Sequence, residues 1–61
     1  MVHNIKITFK DKQIIRYNSH DNVLNYKVEN ECLQVMLHKQ VYKLTNFYPL
    51  DTIMMFEIEH D

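Results

Sequence analysis

The chain has 61 residues, 46% of them apolar and 25% charged, and a formal net charge of −1. That length allows a single domain, 1–61, with a small core, since a chain of this size buries only about 60% of its unfolded surface; the apolar share is too high for disorder, and the charge balance too even for a nucleic-acid tail. There is no glycine, which excludes phosphate loops, dinucleotide fingerprints, nucleophile elbows and EF-hand loops, all of which need a backbone without Cβ at fixed places.

In chain order, apolar side chains alternate with polar ones in most segments, the period-2 signature of half-buried strands. Ile5, Ile7 and Phe9 share a face opposite Lys6, Thr8 and Lys10. Asp11-Lys12 supply a tight turn, and a second strand from Gln13 to Asn18 carries Ile15 and Tyr17 inward with Ile14 and Arg16 outward. The polar run Asn18-Ser19-His20-Asp21-Asn22 connects to a third strand, where Leu24, Tyr26 and Val28 alternate with Asn25, Lys27 and Glu29. Glu29-Asn30-Glu31 is the next turn, with Asn30 the residue best suited to positive φ in a chain without glycine. Leu33, Val35 and Leu37 form the inner face of strand four, near whose start lies Cys32.

After a turn at His38-Lys39-Gln40, a short fifth strand alternates Tyr42 and Leu44 with Val41 and Lys43. Thr45 to Asp51 breaks the pattern, because Pro49 removes a ladder donor and disfavours helix at Tyr48, so a loop or one helical turn is expected there. The last strand runs from about Ile53 to Glu59, with Met54, Phe56 and Ile58 on one face and Met55, Glu57 and Glu59 on the other. Helix competes over Asn30 to Gln40 and over Leu50 to Ile58, where Asp51-Thr52 can cap a helix start. Five to six short antiparallel strands in succession give an all-β fold: a small meander, closed as a barrel or as a strongly bent sheet that hides its edges. Lys6 and Lys10 outward on the first strand and Glu57 and Glu59 outward on the last favour placing those two strands side by side.

A core this small calls for a supplement, and with one cysteine no intrachain disulfide can form, which leaves a metal or self-association. A homo-oligomer is therefore expected. No apolar run is long enough for a secretory h-region or a membrane span, and a lone thiol suits a reducing compartment, so the expected location is cytoplasmic, with no membrane partner.

The segment Tyr26-Lys27-Val28-Glu29-Asn30-Glu31-Cys32-Leu33-Gln34-Val35, followed by Val41-Tyr42 and an Ile-rich acidic last strand, resembles the short uncharacterised β proteins of phages and mobile elements of low-GC Gram-positive bacteria. The abundance of Asn, Lys, Ile and Tyr beside the absence of Ala and Gly fits the AT-rich coding of such sources. In those relatives the turn usually carries Gly where this chain has Glu31. The resemblance implies a phage accessory protein that acts in the host cytoplasm and binds and inhibits a host protein, such as a defence nuclease of the kind anti-CRISPR proteins inhibit.

Several groups of side chains are of types that can carry chemistry. His3, His20, His38 and His60 with Cys32 are ligand types for zinc, but their spacing matches no finger and solvated histidines are the plainer reading, so no metal or other cofactor is expected. Cys32 with a histidine as base lacks any mark of an activated thiol. Asp51, Glu57, Glu59 and Asp61 lack the cleft that general acid and base work requires. A non-enzymatic role follows. Binding is better supported: Phe47, Tyr48, Met54 and Met55 surround Pro49, a strand can bury only one of two adjacent methionines, and exposed thioether and aromatic groups suit adaptable protein interfaces. Two alternatives remain open. One is a small barrel that binds single-stranded nucleic acid, with Tyr17, Tyr26 and Tyr42 stacking bases and Lys6, Lys10, Lys12 and Arg16 following phosphates, against which the slight acidity counts. The other is a structural or assembly subunit.

Overall fold

The computed structural model describes residues 1–20 and 22–60. Its elements are β1 (Val2–Phe9), β2 (Ile14–Asn18), β3 (Val23–Glu29), β4 (Cys32–His38), β5 (Lys43–Pro49), a 3-10 turn at Leu50–Thr52 and β6 (Ile53–His60). The all-β expectation holds, and in the two segments for which helix competed Cys32–His38 and Ile53–His60 are strands, with that one 3-10 turn the only helical stretch among the described residues. Among the described residues no helix is long and apolar enough to cross a membrane.

The strands form two antiparallel three-stranded sheets, ordered β2-β1-β6 and β3-β4-β5. They do not close into a barrel. Closure of a meander needs ladders between β2 and β3 and between β5 and β6, and the chain instead crosses from one sheet to the other at both places. At the first crossing Ser19 N–H donates to His3 O of β1 at 3.0 Å, and the Asn18 side chain accepts from the backbone N–H of His20 at 3.1 Å, so the end of β2 stays tied to β1 and turns on its own side chain as the chain leaves for the second sheet. Asp21, in that connector, lies outside the described residues. At the second, Pro49 can donate nothing, and Thr52 Oγ1 closes the 3-10 turn onto Pro49 O at 2.7 Å.

β1 and β6 lie side by side, as their charges suggested. Lys6 stands opposite Glu57 with Nζ to Oε2 at 3.8 Å, and Asn4 Nδ2 donates to Glu59 Oε1 at 2.5 Å. Both pairs are exposed, so each contributes no more than about 1 kcal/mol. Apolar burial along this ladder contributes more, and it requires two irregularities. Val2, Ile5 and Ile7 are all buried, although Val2 and Ile5 are three residues apart and a regular strand would put them on opposite faces. The ladder resolves this with a register shift between Val2 and Asn4 that leaves His3 as the extra residue, and a second shift opposite Thr8-Phe9 leaves Met54 as the extra residue on β6. Such bulges bend and twist the ladder. The second corrects the expected face of Met54: Ile53, not Met54, joins Phe56 and Ile58 against the core, and both methionines face out.

β5 also differs from expectation. It runs from Lys43 through Pro49, whereas Val41 and Tyr42 stand in the turn, where Lys39 N–H donates to Tyr42 O at 2.9 Å. The alternation is Leu44, Asn46, Tyr48, opposite Leu37, Val35 and Leu33 of β4; a polar residue in the middle disguised it. Pro49 is tolerated because it ends an edge strand.

The core lies between the sheets. Val2, Ile5, Ile7 and Ile53 come from the first, Leu24, Leu33, Val35 and Leu37 from the second, and half-buried Phe9, Tyr17, Tyr26, Tyr48, Phe56 and Ile58 complete it. With so few buried side chains, truncation of Leu33 or Ile5 to Ala, at about 2–5 kcal/mol, would remove much of the stability available to a domain of this size.

The turns show the consequence of having no glycine. Asn30 and Glu31 both have positive φ, 54° and 61°, and link the paired residues Glu29 and Cys32. This is the two-residue loop whose backbone hand matches strand twist, and it normally carries Asn-Gly. At the β1–β2 turn Lys12 has φ 74°, Lys12 N–H donates to Phe9 O at 2.8 Å, and Phe9 N–H donates to Gln13 O at 2.9 Å, a three-residue loop with its left-handed position filled by lysine. For a residue with a Cβ that conformation costs roughly 1–2 kcal/mol. Glu31→Gly and Lys12→Gly should therefore each stabilise the protein by about 1 kcal/mol, since relief of strain outweighs the added freedom of the unfolded chain. In thermal unfolding each should raise Tm by roughly 4–8 °C, whereas a fall would mean that these positions carry no strain.

Candidate functional site

The outer face of the first sheet is organised in three cross-strand rows: Asn18, Asn4 and Glu59; Arg16, Lys6 and Glu57; Ile14, Thr8 and Met55. The first two are polar and form an open groove of about 440 Å³ lined by Asn4, Lys6, Arg16, Glu57 and Glu59. The third carries Ile14 and Met55 at its two ends with Thr8 between them. Ile14 is 47% exposed and Met55 46%, and Met54, displaced by its bulge next to Met55 on β6, is 58% exposed. Apolar side chains on the two edge strands, with Thr8 between them, thus border a charged groove, the combination of desolvated anchor and polar rim that protein interfaces use.

The four residues expected to form a binding patch do not stay together. Met54 and Met55 are on this margin. Phe47, 61% exposed, projects from the opposite side of the molecule, on the outer face of the second sheet where its neighbour across the ladder is Gln34. Tyr48 points inward: it pairs with Leu33, its ring lies 5.6 Å from that of Phe9 at a tilt of 57°, and its hydroxyl is hydrogen bonded to that of Tyr17. Adjacent residues on a strand face opposite ways, so Phe47 and Tyr48 could never present one surface. The residue that the sequence pattern did not bring forward is Ile14. Its signal was available, because Ile14-Ile15 poses the same problem as Met54-Met55: only one of two adjacent apolar residues on a strand can be buried.

The histidines and Cys32 are also separated. His3, His20, His38 and His60 all fall at the end of the sandwich that carries the start of β1 and the ends of β2, β4 and β6, whereas Cys32 begins β4 at the other end. Cys32 borders a hollow of about 580 Å³ with Asn30, Glu31, Pro49, Leu50 and Asp51, and no histidine lines it. Among the described residues no three His, Cys, Asp or Glu side chains are grouped closely enough to hold a metal. Asp61 lies outside them. Of the tyrosines considered as stacking platforms, Tyr17 and Tyr26 are half-buried, Tyr26 with its ring 6.4 Å from His60, and Tyr42 is exposed in the β4–β5 turn.

Tyr17 and Tyr48 form a polar seam between β2 and β5, the edge strands on one flank of the sandwich. Asn46 Nδ2 donates to Tyr17 Oη at 3.0 Å, and the Tyr17 oxygen has a second lone pair to accept from Tyr48. Burial first, and then the bond to Tyr17, push the Tyr48 hydroxyl well above the ordinary value of 10.0. The unfolded chain ionises this phenol near pH 10 and the folded one does not, so the associated stability is complete below about pH 10 and is lost as pH rises beyond it. Alkaline titration of phenolate absorbance should show a late step that coincides with unfolding, and Tyr48→Phe should remove it. A late step that persists in Tyr48→Phe, or the absence of any late step in the wild type, would show that Tyr48 is not buried in this way.

Comparison with known proteins finds no matching family model, no matching curated protein and no matching solved structure.

Proposed function

We propose that this protein is a non-enzymatic binding module that docks on another protein through the Ile14, Met54 and Met55 margin of its first sheet. The observation that carries the reading is the bulge at Met54. A regular β6 would have buried Met54 and left Ile53 outside; the bulge puts a large buried aliphatic in the core and presents two flexible, polarisable side chains on the edge strand across β1 from Ile14. Methionine adapts readily to the shape of a partner, and the adjoining groove offers Arg16, Lys6 and Glu57 as the polar rim.

Together with the resemblance to phage and mobile-element proteins, this surface supports an accessory protein that binds and inhibits a host protein, with a defence nuclease as one candidate target. Affinity capture from a low-GC Gram-positive host lysate, comparing wild type with variants, tests the reading. Met55→Asp and Ile14→Asp should each weaken a stoichiometric partner by about 30-fold or more, the size of a hot-spot loss near 2 kcal/mol. Neutralising Lys6, Lys10, Lys12 and Arg16 together should matter much less. Binding of labelled single-stranded DNA that is abolished by the neutralised set, steeply salt-dependent and indifferent to Met55→Asp, would replace this reading with a nucleic-acid one. Tyr48→Ala is a poor probe of the interface, since it opens the core beside Phe9 and Leu33.

A further inference from the structure

Each sheet leaves two strands at its edges, β2 and β6 in the first and β3 and β5 in the second. An edge strand offers a row of unpaired N–H and C=O groups to any extended chain, so a stable monomer has to blunt it. Three of the four are blunted by their own form. β2 has only five residues, β6 carries the bulge at Met54, and β5 ends in Pro49, which has no N–H to offer. β3 has none of these features. Its seven residues run against β4 without a register shift, from Val23 opposite His38 to Glu29 opposite Cys32. Its one lysine, Lys27, is answered within the strand by Glu29 at 3.2 Å. The two-residue loop fixes which of its backbone groups point out of the sheet. Glu29 and Cys32, the pair that closes the loop, exchange both ladder hydrogen bonds, and the pattern alternates from there: Lys27, Asn25 and Val23 bond to β4, while Val28, Tyr26 and Leu24 direct their N–H and C=O groups to the open edge. The bond from Leu50 N–H to Glu31 O at 2.9 Å fits this alternation, since it turns the odd-numbered residues of the next strand toward β5. At the middle of the open edge the Tyr26 N–H is already taken: it donates to Asn25 Oδ1 at 2.8 Å.

We infer that Asn25 is a latch that keeps β3 from accepting an added strand. The strand best matched to this edge, and the one the latch excludes, is β3 of a second copy, set antiparallel about a two-fold axis at Tyr26. In that register Leu24 meets Val28 and Tyr26 meets Tyr26, so the outward N–H and C=O groups of all three residues would be answered on both strands. On the outer face Lys27 would stand opposite Asn25 and Val23 opposite Glu29, with no like charges directly across the ladder to oppose the pairing. Side-chain charge therefore does not protect this edge. The pairing fails at its centre instead, because the Tyr26 N–H that must donate to the Tyr26 carbonyl of the other copy is held by Asn25. Asparagine suits the task, since its short side chain reaches neighbouring backbone N–H groups and competes with ladder bonds. The latch acts apart from the Ile14, Met54 and Met55 surface, which lies on the other sheet.

Sedimentation equilibrium tests this, with amide NMR spectra confirming the fold of each variant and locating any contact. Asn25→Val, which removes the acceptor and leaves a good strand former, should self-associate about 30-fold more tightly than wild type, roughly fivefold for each of the two latches that the pairing must open, the size of an ordinary net hydrogen bond. The amides of Leu24, Tyr26 and Val28 should gain protection from exchange as the concentration of that variant rises. Thr45→Val adds the same side chain to the same outer face with the latch left closed, and should associate no more than wild type. Adding Val28→Pro to Asn25→Val should abolish the gain, because the proline deletes an edge N–H that the β3–β4 ladder does not use. An Asn25→Val protein that associates no more tightly than wild type, an equal gain from Thr45→Val, or a gain that survives Val28→Pro would each overturn the assignment.

Discussion

Pairing of the first strand with the last is the constraint on which the rest of this structure depends. β1 is the central strand of its sheet and brings Val2, Ile5 and Ile7 to the core, yet one of its two ladders is made with the end of the chain. Until β6 arrives, one edge of β1 is unpaired and Ile53, Phe56 and Ile58 have nothing to pack on. Most of the second sheet, by contrast, consists of hairpins between neighbours in sequence, which close with short loops and little loss of entropy. The domain therefore joins a locally assembled sheet to one that needs its two ends together, and the β1–β6 contact should form late in folding for that reason.

The two bulges follow from that pairing. Val2 with Ile5, and Ile53 with Phe56, are apolar residues three apart, a spacing that fits neither a regular strand nor an isolated turn. Shifting the register once at each end lets all four face the core. Each shift adds one residue to its strand, His3 on β1 and Met54 on β6. At Met54 that extra residue is exposed next to Met55 on the edge strand β6, so the feature that completes the core also shapes the surface proposed to bind a partner. The lack of glycine acts similarly: it places strain at Lys12 and Glu31, which a chain with few buried side chains can ill offset.

Much of this was legible in the sequence. Period-2 alternation located β1 to β4 to within a few residues, and the inner faces Ile5/Ile7, Ile15/Tyr17 and Leu33/Val35/Leu37 are those that alternation marks. Opposite charge on the first and last strands anticipated their adjacency. Three things were not legible. Asn46 hid the inner face of β5, because its role depends on the hydroxyl of Tyr17, 29 residues away. The choice between a barrel and two sheets turned on which strands fail to pair, which the connector residues influence and the strand patterns do not. Proximity in sequence drew the expected binding patch around Pro49, whereas strand parity sends Phe47, Tyr48 and Met55 to three different environments. Parity, which already turns Ile14 outward and Ile15 inward, separates Phe47 from Tyr48 in the same way, but it does not reach Met54, which the bulge turns outward.

Cross-strand nuclear Overhauser contacts between β1 and β6 test the account most directly. The bulged register predicts contacts between the backbones of Ile7 and Phe56, of Thr8 and Met55, and of Phe9 and Ile53, with no residue of β1 directly opposite Met54. A ladder that continues evenly, with Met54 opposite Phe9 and its side chain among the core residues, would contradict both the architecture of the first sheet and the surface built on it.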